Sequence, residues 1–226
     1  MFTGVDDVEL ERVTRVSRRF ELRAGETLWL QGDHADALYV IGAGHLKSYR
    51  IGADGQQLVL WIFGPGETTG EPALFLPAGT RGTSSEAVEN TSGLAIPGPA
   101  LLDFLDTHPR VNRRVLRRLS EMLWDSPTMP SEMALADIAS RVVHKLLDLA
   151  AVHGVETNGS IRIAVRLSQG TLAEMVAASR ENVNRALAPL MSARIVSHEG
   201  GFFTVLDPEQ LRKRAPGYPV KFSNPG

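Results

Sequence analysis

Two charged side chains, Glu71 and Arg81, lie close together in a stretch that is otherwise rich in Gly, Pro and small residues (GEPALFLPAGTRGTSSEA, residues 70–87). An Arg guanidinium can hold a phosphate through two parallel hydrogen bonds, and a carboxylate can accept a hydrogen bond from a sugar hydroxyl. The two residues are therefore candidates for binding the phosphate and ribose of a nucleotide. The alternative is an ordinary ion pair on a surface loop.

A second group of chemically suitable residues lies near the C-terminus. The segment 167–191 (LSQGTLAEMVAASRENVNRALAPLM) predicts two short helices, with Ser168 and Ser179 as their N-caps. With about 100° between successive residues, the second helix separates a polar face (Arg180, Glu181, Asn184, Arg185) from an aliphatic face (Val183, Leu187, Leu190). Arg and Glu can bond to guanine and cytosine in the major groove. A solvated surface helix would carry the same pattern.

The elements around the first group are predicted to be strands. Residues 20–97 contain short apolar runs such as ALYVI and QLVLWIF, separated by turn signals such as Asp54-Gly55 and Gly64-Pro65-Gly66. Short β-rich runs with turns every 8–12 residues or so are typical of an all-β barrel or roll. A helical segment precedes this region, and 193–207 (ARIVSHEGGFFTVLD) predicts a strand–turn–strand wing beside the C-terminal helix pair.

The segment 109–125 is predicted to be a long helix. Its apolar residues, Val111, Val115, Leu119 and Met122, recur at helical spacing on one face, and four arginines cover the other faces (Arg113, Arg114, Arg117, Arg118). A narrow apolar seam of this kind either pairs with a second copy of the helix or packs on its own domain.

Two prolines then interrupt the pattern in SPTMP, residues 126–130, and predict a break or a sharp kink. A new helix is expected from the N-cap Ser131 to Gly154. The sequence thus predicts an α+β protein with a β-rich region at 1–108, a helix and hinge at 109–137, and a C-terminal domain at 138–226.

Composition separates these parts further. Residues 1–137 carry 13 Lys and Arg against 19 Asp and Glu, whereas 138–226 carry 11 against 7, within a net charge of −2 for the 226 residues. A basic C-terminal part favours nucleic acid as its partner. The sequence has no cysteine, no secretory signal and no membrane-length apolar run. We expect a cytoplasmic protein that does not contact a membrane.

The C-terminal segment strongly resembles the winged helix–turn–helix of the Crp/Fnr family of bacterial transcription regulators. That family's pattern Ser-Arg-Glu-x-Val-x-Arg is matched by Ser179, Arg180, Glu181, Val183 and Arg185, and Ala177 stands where the family usually has Gly in the turn. The segment YVIGAGHLKSYRIGADGQQLVLWIFGPGETTGE is similar to the family's β-roll. The resemblance implies a cyclic-nucleotide-binding β-roll of the jelly-roll type, a long dimerisation helix and a winged helix–turn–helix.

The resemblance also implies partners. These are double-stranded DNA with a palindromic site of TGTGA-like half-sites, a second copy of the chain, and RNA polymerase. It makes Arg180, Glu181 and Arg185 the base-contacting residues. The DNA-binding set that we predict is Ser168, Gln169, Ser179, Arg180, Glu181, Asn184 and Arg185.

In family members that bind cyclic AMP, the ligand site has a Gly-Glu-apolar-small-Leu segment followed by an Arg. Here the corresponding residues suggest cyclic AMP or another cyclic nucleotide, with Arg81 on the phosphate and Glu71 on the ribose 2′-hydroxyl. Ser126 and Thr128 fall near the position that meets the adenine. The predicted ligand-binding set is Gly70, Glu71, Pro72, Ala73, Arg81, Gly82, Thr83, Ser126 and Thr128.

Several alternatives accompany this interpretation. The β-roll could be unused or hold a different ligand, with Glu71 and Arg81 paired across an empty pocket. The absence of cysteine argues against an iron–sulfur sensor, and the scattered histidines argue against a haem or metal sensor. No catalytic motif indicates an enzyme. A cyclic-nucleotide module serving a kinase or a channel would leave the C-terminal helix pair unexplained.

Overall fold

The computed structural model describes residues 5–124 and 137–215. The described residues form two compact units, one made of residues 5–50 and 60–124 and the other of residues 51–59 and 137–215. None of the described helices combines the length and the apolar character that crossing a bilayer requires.

The β-roll, most of which lies in the first unit, has two four-stranded sheets, as the turn spacing predicts. The sheets have the strand orders β1-β8-β3-β6 and β2-β7-β4-β5. The Asp54-Gly55 turn joins β4 to β5, and Gly55 adopts the positive φ of 78° that favours glycine there. The strands are β1 (Arg18–Leu22), β2 (Thr27–Trp29), β3 (Ala37–Ala43), β4 (Leu46–Ile51), β5 (Gln57–Phe63), β6 (Thr68–Thr69), β7 (Ser84–Ala87) and β8 (Thr91–Pro97).

Four helices accompany the roll: α1 (Asp7–Val16), the short α2 (Glu71–Leu74), α3 (Gly98–Thr107) and α4 (Pro109–Trp124). The predicted seam of α4 packs on its own domain. Val111 and Val115 are 2% exposed in a cluster with Leu38 and Leu101, and Met122 contacts a second cluster in the roll. Val111 and Val115, at the start of the seam, are therefore not free to pair with another copy of the chain, whereas Leu119 and Met122 are only half-buried.

A different face of α4 remains exposed. Leu116 is 58% exposed and Leu123 is 71% exposed, although both are large apolar side chains. The two residues are seven positions apart, so they lie on the same side of the helix. This face, not the predicted seam, is the one that a second helix could cover.

The C-terminal unit contains the predicted winged helix–turn–helix. Its helices are α5 (Ile138–His153), α6 (Gln169–Met175), α7 (Arg180–Ser192) and α8 (Pro208–Lys213), and its strands are β9 (Gly154–Thr157), β10 (Ser160–Ile163), β11 (Val196–Glu199) and β12 (Phe202–Val205). The predicted wing hairpin, β11 and β12, belongs to a four-stranded sheet of order β11-β12-β10-β9.

The predicted helix from Ser131 to Gly154 is not continuous through Asp137. Helix α5 begins at Ile138, because Asp137 has an extended backbone (φ −66°, ψ 165°) and its side chain caps the helix by accepting from the N–H of Ser140 at 2.7 Å. The proposed cap Ser131 and the predicted break at 126–130 lie outside the described residues.

Candidate functional sites

The Gly-rich stretch forms the first site, which we call the cradle (residues 70–74 and 81–83). Gly70 has φ +97°, and a Cβ atom there would lie only 2.6 Å from Nη1 of Arg81. Any other residue at this position would push the arginine away. Pro72 stands in the first turn of α2, where a missing N–H costs no helical hydrogen bond, and Ala73 is buried.

Glu71 is buried and only partly satisfied. Its side chain is 1% exposed, and Oε1 accepts a hydrogen bond from the Thr68 hydroxyl and lies 3.7 Å from Nε of Arg118. The other carboxylate oxygen, Oε2, is buried without a hydrogen-bond partner among the described residues. A buried acceptor without a donor is costly, so Oε2 is suited to accept from a bound hydroxyl.

Arg81 is held on several sides. It is 3% exposed and donates to the carbonyl oxygens of Gly70 at 3.0 Å and Ala37 at 2.8 Å, and to Asp36 Oδ1 at 3.3 Å. Its guanidinium also lies 4.4 Å from the centre of the Trp29 ring. Burial lowers the pKa of Arg81 from its ordinary value, and the neighbouring Tyr39 and Asp36 oppose that shift.

These contacts decide against the ion-pair alternatives. Neither Glu71 nor Arg81 lies on the surface, and within the described residues Glu71 pairs with Arg118 whereas Arg81 pairs with Asp36. The two residues are separate polar groups of one buried site. Of the predicted ligand-binding set, Ser126 and Thr128 lie outside the described residues.

The rest of the cradle is arranged around Thr83. The Thr83 hydroxyl accepts from Ser48 Oγ at 2.7 Å, and its carbonyl oxygen accepts from Trp29 Nε1 at 2.8 Å. Gly82 is exposed, and its carbonyl oxygen accepts from Arg50 Nε at 3.0 Å. Thr83 is thus fixed at the edge of the site, next to the buried Arg81.

The sequence did not identify four residues that complete this site: Trp29, Asp36, Thr68 and Arg118. The first two come from strand β2 and the segment before β3, and Arg118 reaches the cradle from α4, where Nη2 donates to the Thr68 carbonyl oxygen at 3.1 Å. Arg118 is one of four arginines on α4, and nothing in the spacing distinguishes it from the other three. Only the packing of α4 on the roll reveals its role.

The second site is the surface of α6, α7 and the wing. Ser168 and Ser179 cap the two helices as predicted, accepting from the N–H groups of Thr171 at 2.9 Å and Asn182 at 3.2 Å. Ala177 in the turn between them has φ +48°, the left-handed conformation for which the family uses Gly.

The polar and aliphatic faces of α7 differ in exposure as the helical spacing predicts. Val183, Leu187 and Leu190 are 0–3% exposed, whereas Arg180, Glu181, Asn184 and Arg185 are exposed. Glu181 and Arg185 pair with each other at 3.0 Å. The helix continues three residues beyond Pro189, to Ser192.

A groove of about 560 Å³ lies beside the N-terminus of α7. It contains three residues of the predicted DNA-binding set, Ser168, Gln169 and Arg180, together with residues of the wing. The structure therefore brings the start of α6, the start of α7 and the wing turn onto one surface. The lining residues are Arg166, Leu167, Ser168, Gln169, Arg180, His198, Gly200 and Gly201.

Comparison with known proteins identifies both regions. Residues 19–108 match the cyclic nucleotide-binding domain family, and residues 140–214 match the Crp-like helix-turn-helix domain family. A CRP-like cAMP-activated global transcriptional regulator from Mycobacterium tuberculosis is 30% identical over 215 residues, which cover 95% of this chain and 96% of that protein.

Other relatives agree. The cyclic AMP receptor protein of Thermus thermophilus is 28% identical over 217 residues, covering 96% of this chain and 97% of that protein. Among solved structures, the c-di-GMP responsive global regulator CLP of Xanthomonas campestris is 27% identical with a TM-score of 0.73, covering 89% of this chain and 99% of that one. This chain belongs to the Crp/Fnr family of transcription regulators.

Proposed function

We propose that this regulator binds a cyclic nucleotide in the cradle and that the ligand controls its affinity for DNA. The single observation that carries this proposal is the buried pair of unsatisfied polar atoms in the cradle: Oε2 of Glu71 and Nε of Arg81 are both buried without a hydrogen-bond partner among the described residues. Buried polar atoms in folded proteins nearly always have a hydrogen-bond partner. A ligand with a hydroxyl and an anionic phosphate would supply both partners.

The chemistry fits a cyclic nucleotide. The cyclic phosphodiester is an anion with exposed oxygens, which Arg81 would bind through Nε and a terminal nitrogen. The Thr83 hydroxyl at the edge of the cradle would donate to the same phosphate. Glu71 would accept the ribose 2′-hydroxyl through Oε2, which selects ribonucleotides over deoxyribonucleotides. The names of the Mycobacterium and Thermus relatives favour cyclic AMP as the first ligand to test.

Arg118 supplies a route from the cradle to α4. It contacts Glu71, donates to the carbonyl oxygen of Thr68 and lies 3.5 Å from Glu67 Oε1. A hydroxyl bound to Glu71 changes the charge distribution that Arg118 meets, and α4 carries that arginine. The ligand would then shift an equilibrium between two arrangements of the DNA-binding domains, as a population shift requires.

A homodimer completes the proposal. The exposed Leu116 and Leu123 of α4 would pack against the same residues of a second copy. A dimer with two-fold symmetry would bind a palindrome whose TGTGA-like half-sites lie about 34 Å apart, one helical turn of DNA. Arg180, Glu181 and Arg185 would contact the bases, and RNA polymerase is the expected protein partner on the promoter.

Isothermal titration of cyclic AMP and cyclic GMP into the purified protein tests the ligand. Arg81→Lys is the informative variant, since it keeps the positive charge but loses the planar fork that holds a phosphate bidentately. We expect binding to the native protein and at least about tenfold weaker binding to the variant. A native protein that binds neither nucleotide would contradict the proposal and favour an unused or differently liganded pocket.

Sedimentation equilibrium of the same preparation tests the homodimer. The measured mass should be twice the 24.6 kDa of one chain.

A further inference from the structure

Three side chains form a stack on the outer face of the wing sheet, which we call the wing stack (Arg162, Phe202 and Arg166). The guanidinium carbon of Arg162 lies 3.9 Å from the centre of the Phe202 ring, and that of Arg166 lies 5.9 Å from it. Cations over an aromatic face are attracted by its negative potential. The ring thus attracts two positive charges to one surface.

The backbone places the two arginines on the same side. From β10 onward, Ile163, Val165 and Leu167 are fully buried, whereas Arg162 and Arg166 between and beside them are exposed. This alternation follows from the period of two in an extended chain. On β12, Phe203 and Val205 are likewise buried, and Phe202 is half-buried on the opposite face.

A glycine of the wing turn shapes the contact with Arg166. Gly201 has φ +85°, and a Cβ atom there would come within 3.1 Å of Cγ and 3.4 Å of Nε of Arg166. The N–H of Leu167 also donates to the carbonyl oxygen of Gly201 at 2.8 Å. The Arg166 side chain therefore lies directly against the wing backbone.

The charges of the wing stack are not neutralised by the protein. Among the described residues, neither Arg162 nor Arg166 has a carboxylate within 4 Å, although Glu199 lies opposite Phe202 in the strand register. Arg185 differs, because Glu181 pairs with it. A guanidinium that stacks through its face keeps its N–H edge available for an anion.

The position of the wing stack indicates which anion it would bind. Arg166 lines the groove that also contains Arg180 of the DNA-contacting helix, and Arg162 extends the row of positive charge away from that groove across Phe202. We propose that the wing stack is a sequence-independent clamp for the phosphate backbone of duplex DNA, adjoining the bases that α7 contacts. This inference rests on the proposed DNA binding and adds residues outside the predicted set.

The Phe202 ring would hold the two arginine side chains in place before they bind a phosphate. A free Arg side chain loses rotamer entropy when it binds a phosphate, whereas one already held over a ring and against a glycine has less to lose. Phosphate contacts position a protein on DNA without reading its sequence. The wing stack should therefore raise affinity for specific and non-specific duplexes equally.

The test measures DNA affinity as a function of salt. Fluorescence anisotropy would use a duplex with the palindrome of TGTGA-like half-sites (the specific duplex) and a scrambled duplex. It would compare the native protein with Arg162→Gln, Arg166→Gln and the double variant. All measurements would be made with cyclic AMP both absent and saturating. Each single substitution should lower affinity for both duplexes about equally, and should reduce the slope of log affinity against log salt by about 0.9, the value for one phosphate contact.

Two variants serve as controls. Arg212→Gln on α8 removes the same charge from an exposed position of the same unit and should leave the slope unchanged. Phe202→Leu keeps both charges but removes the ring, so it should weaken binding about two- to threefold at an unchanged slope. Thermal melting of each variant checks that the domain is folded.

The outcomes separate the two proposals. If the native protein prefers the specific duplex but the double variant keeps the native slope, the clamp is wrong and the regulator stands. A slope that falls equally in Arg212→Gln would also overturn the clamp, since it would reflect net charge alone. If the native protein binds neither duplex under either ligand condition, the proposed function fails, and the clamp fails with it.

Discussion

The cradle and the surface of α7 both depend on arginine and glutamate, but they keep these charges in opposite environments. In the cradle, Glu71 and Arg81 are 1% and 3% exposed, and each has an oppositely charged neighbour from a distant part of the chain, Arg118 and Asp36 respectively. On α7, Glu181 and Arg185 have side chains that are 83% and 72% exposed and pair with each other, one helical turn apart. A buried charge must be compensated by the fold, whereas an exposed charge is compensated by water.

This difference explains what each site can do. A ligand in the cradle would meet side chains that already hold the fold together, such as Arg81 with its partner Asp36. The α7 surface would give up only hydration and a weak surface pair on contacting DNA bases. Stability and function are thus coupled in the first region and nearly independent in the second.

The same substitution should therefore have unlike effects in the two regions. Arg81→Ala leaves the carbonyl oxygens of Gly70 and Ala37 without their donor and opens a space beside Trp29, so we expect a loss of about 3 kcal/mol in the free energy of unfolding. Arg185→Ala breaks only an exposed pair and should change it by less than about 0.5 kcal/mol. Urea unfolding of both variants makes the comparison. Equal losses would show that the cradle charges are not structurally integrated.

Substitutions on the α7 surface should change the sequence specificity of DNA binding. Arg180→Ala or Glu181→Ala should each reduce discrimination at one base pair by about 1–3 kcal/mol, with no comparable change in unfolding free energy. Selection of binding sites from a randomised duplex by gel shift measures the preference. Glu181 pairs with Arg185. The variant with both of these residues changed to Ala should therefore lose less discrimination between bases than the two single variants lose in sum. If Arg180→Ala and Glu181→Ala both keep the native preference, these residues do not contact bases.

Backbone strain in the turn of the DNA-binding unit predicts a smaller effect. Ala177 has φ +48°, and Ala177→Gly should raise the free energy of unfolding by about 0.5–1 kcal/mol because glycine adopts this conformation without strain. Ala193→Gly is the matched control, since Ala193 has φ −80° and gains nothing from glycine. We expect the control to be neutral or less stable. A loss in Ala177→Gly would mean that the turn tolerates Ala without cost.

The smallest expected effect is a pH dependence at the edge of the sensor unit. The hydrogen bond from His108 Nε2 to Glu9, at 2.6 Å, raises the pKa of His108 above its usual value. The stabilisation is therefore complete below about pH 6.5 and is lost as the pH rises through the raised pKa. Urea unfolding of the native protein and of His108→Gln between about pH 6 and 9 should show their difference shrinking with rising pH. A constant difference would show that the histidine does not titrate in this range.

Local patterns predicted the parts of the fold that depend on neighbours in the sequence. The Asp54-Gly55 turn, the caps Ser168 and Ser179, and the two faces of α7 all follow from residues within a few positions of each other. The hairpin of β9 and β10 could also have been found, because Asn158-Gly159 is a strong turn signal and both residues adopt positive φ, at 49° and 81°.

The contacts between distant segments could not be predicted. The seam of α4 has the periodicity of a helix that pairs with a copy of itself, yet Val111 and Val115 cover the roll. Arg118 and Asp36 enter the cradle from separate elements, at positions where an exposed charge would be equally ordinary. Periodicity shows that a face is buried, but it does not show which surface buries it.

The central claim is that the cradle and the DNA surface are linked through a bound cyclic nucleotide, and one thermodynamic cycle tests it. DNA affinity would be measured with and without saturating cyclic AMP, and cyclic AMP affinity with and without saturating DNA. The account predicts that both ratios differ from one and equal each other, because linkage is reciprocal. DNA affinity that is identical with and without bound nucleotide would contradict it.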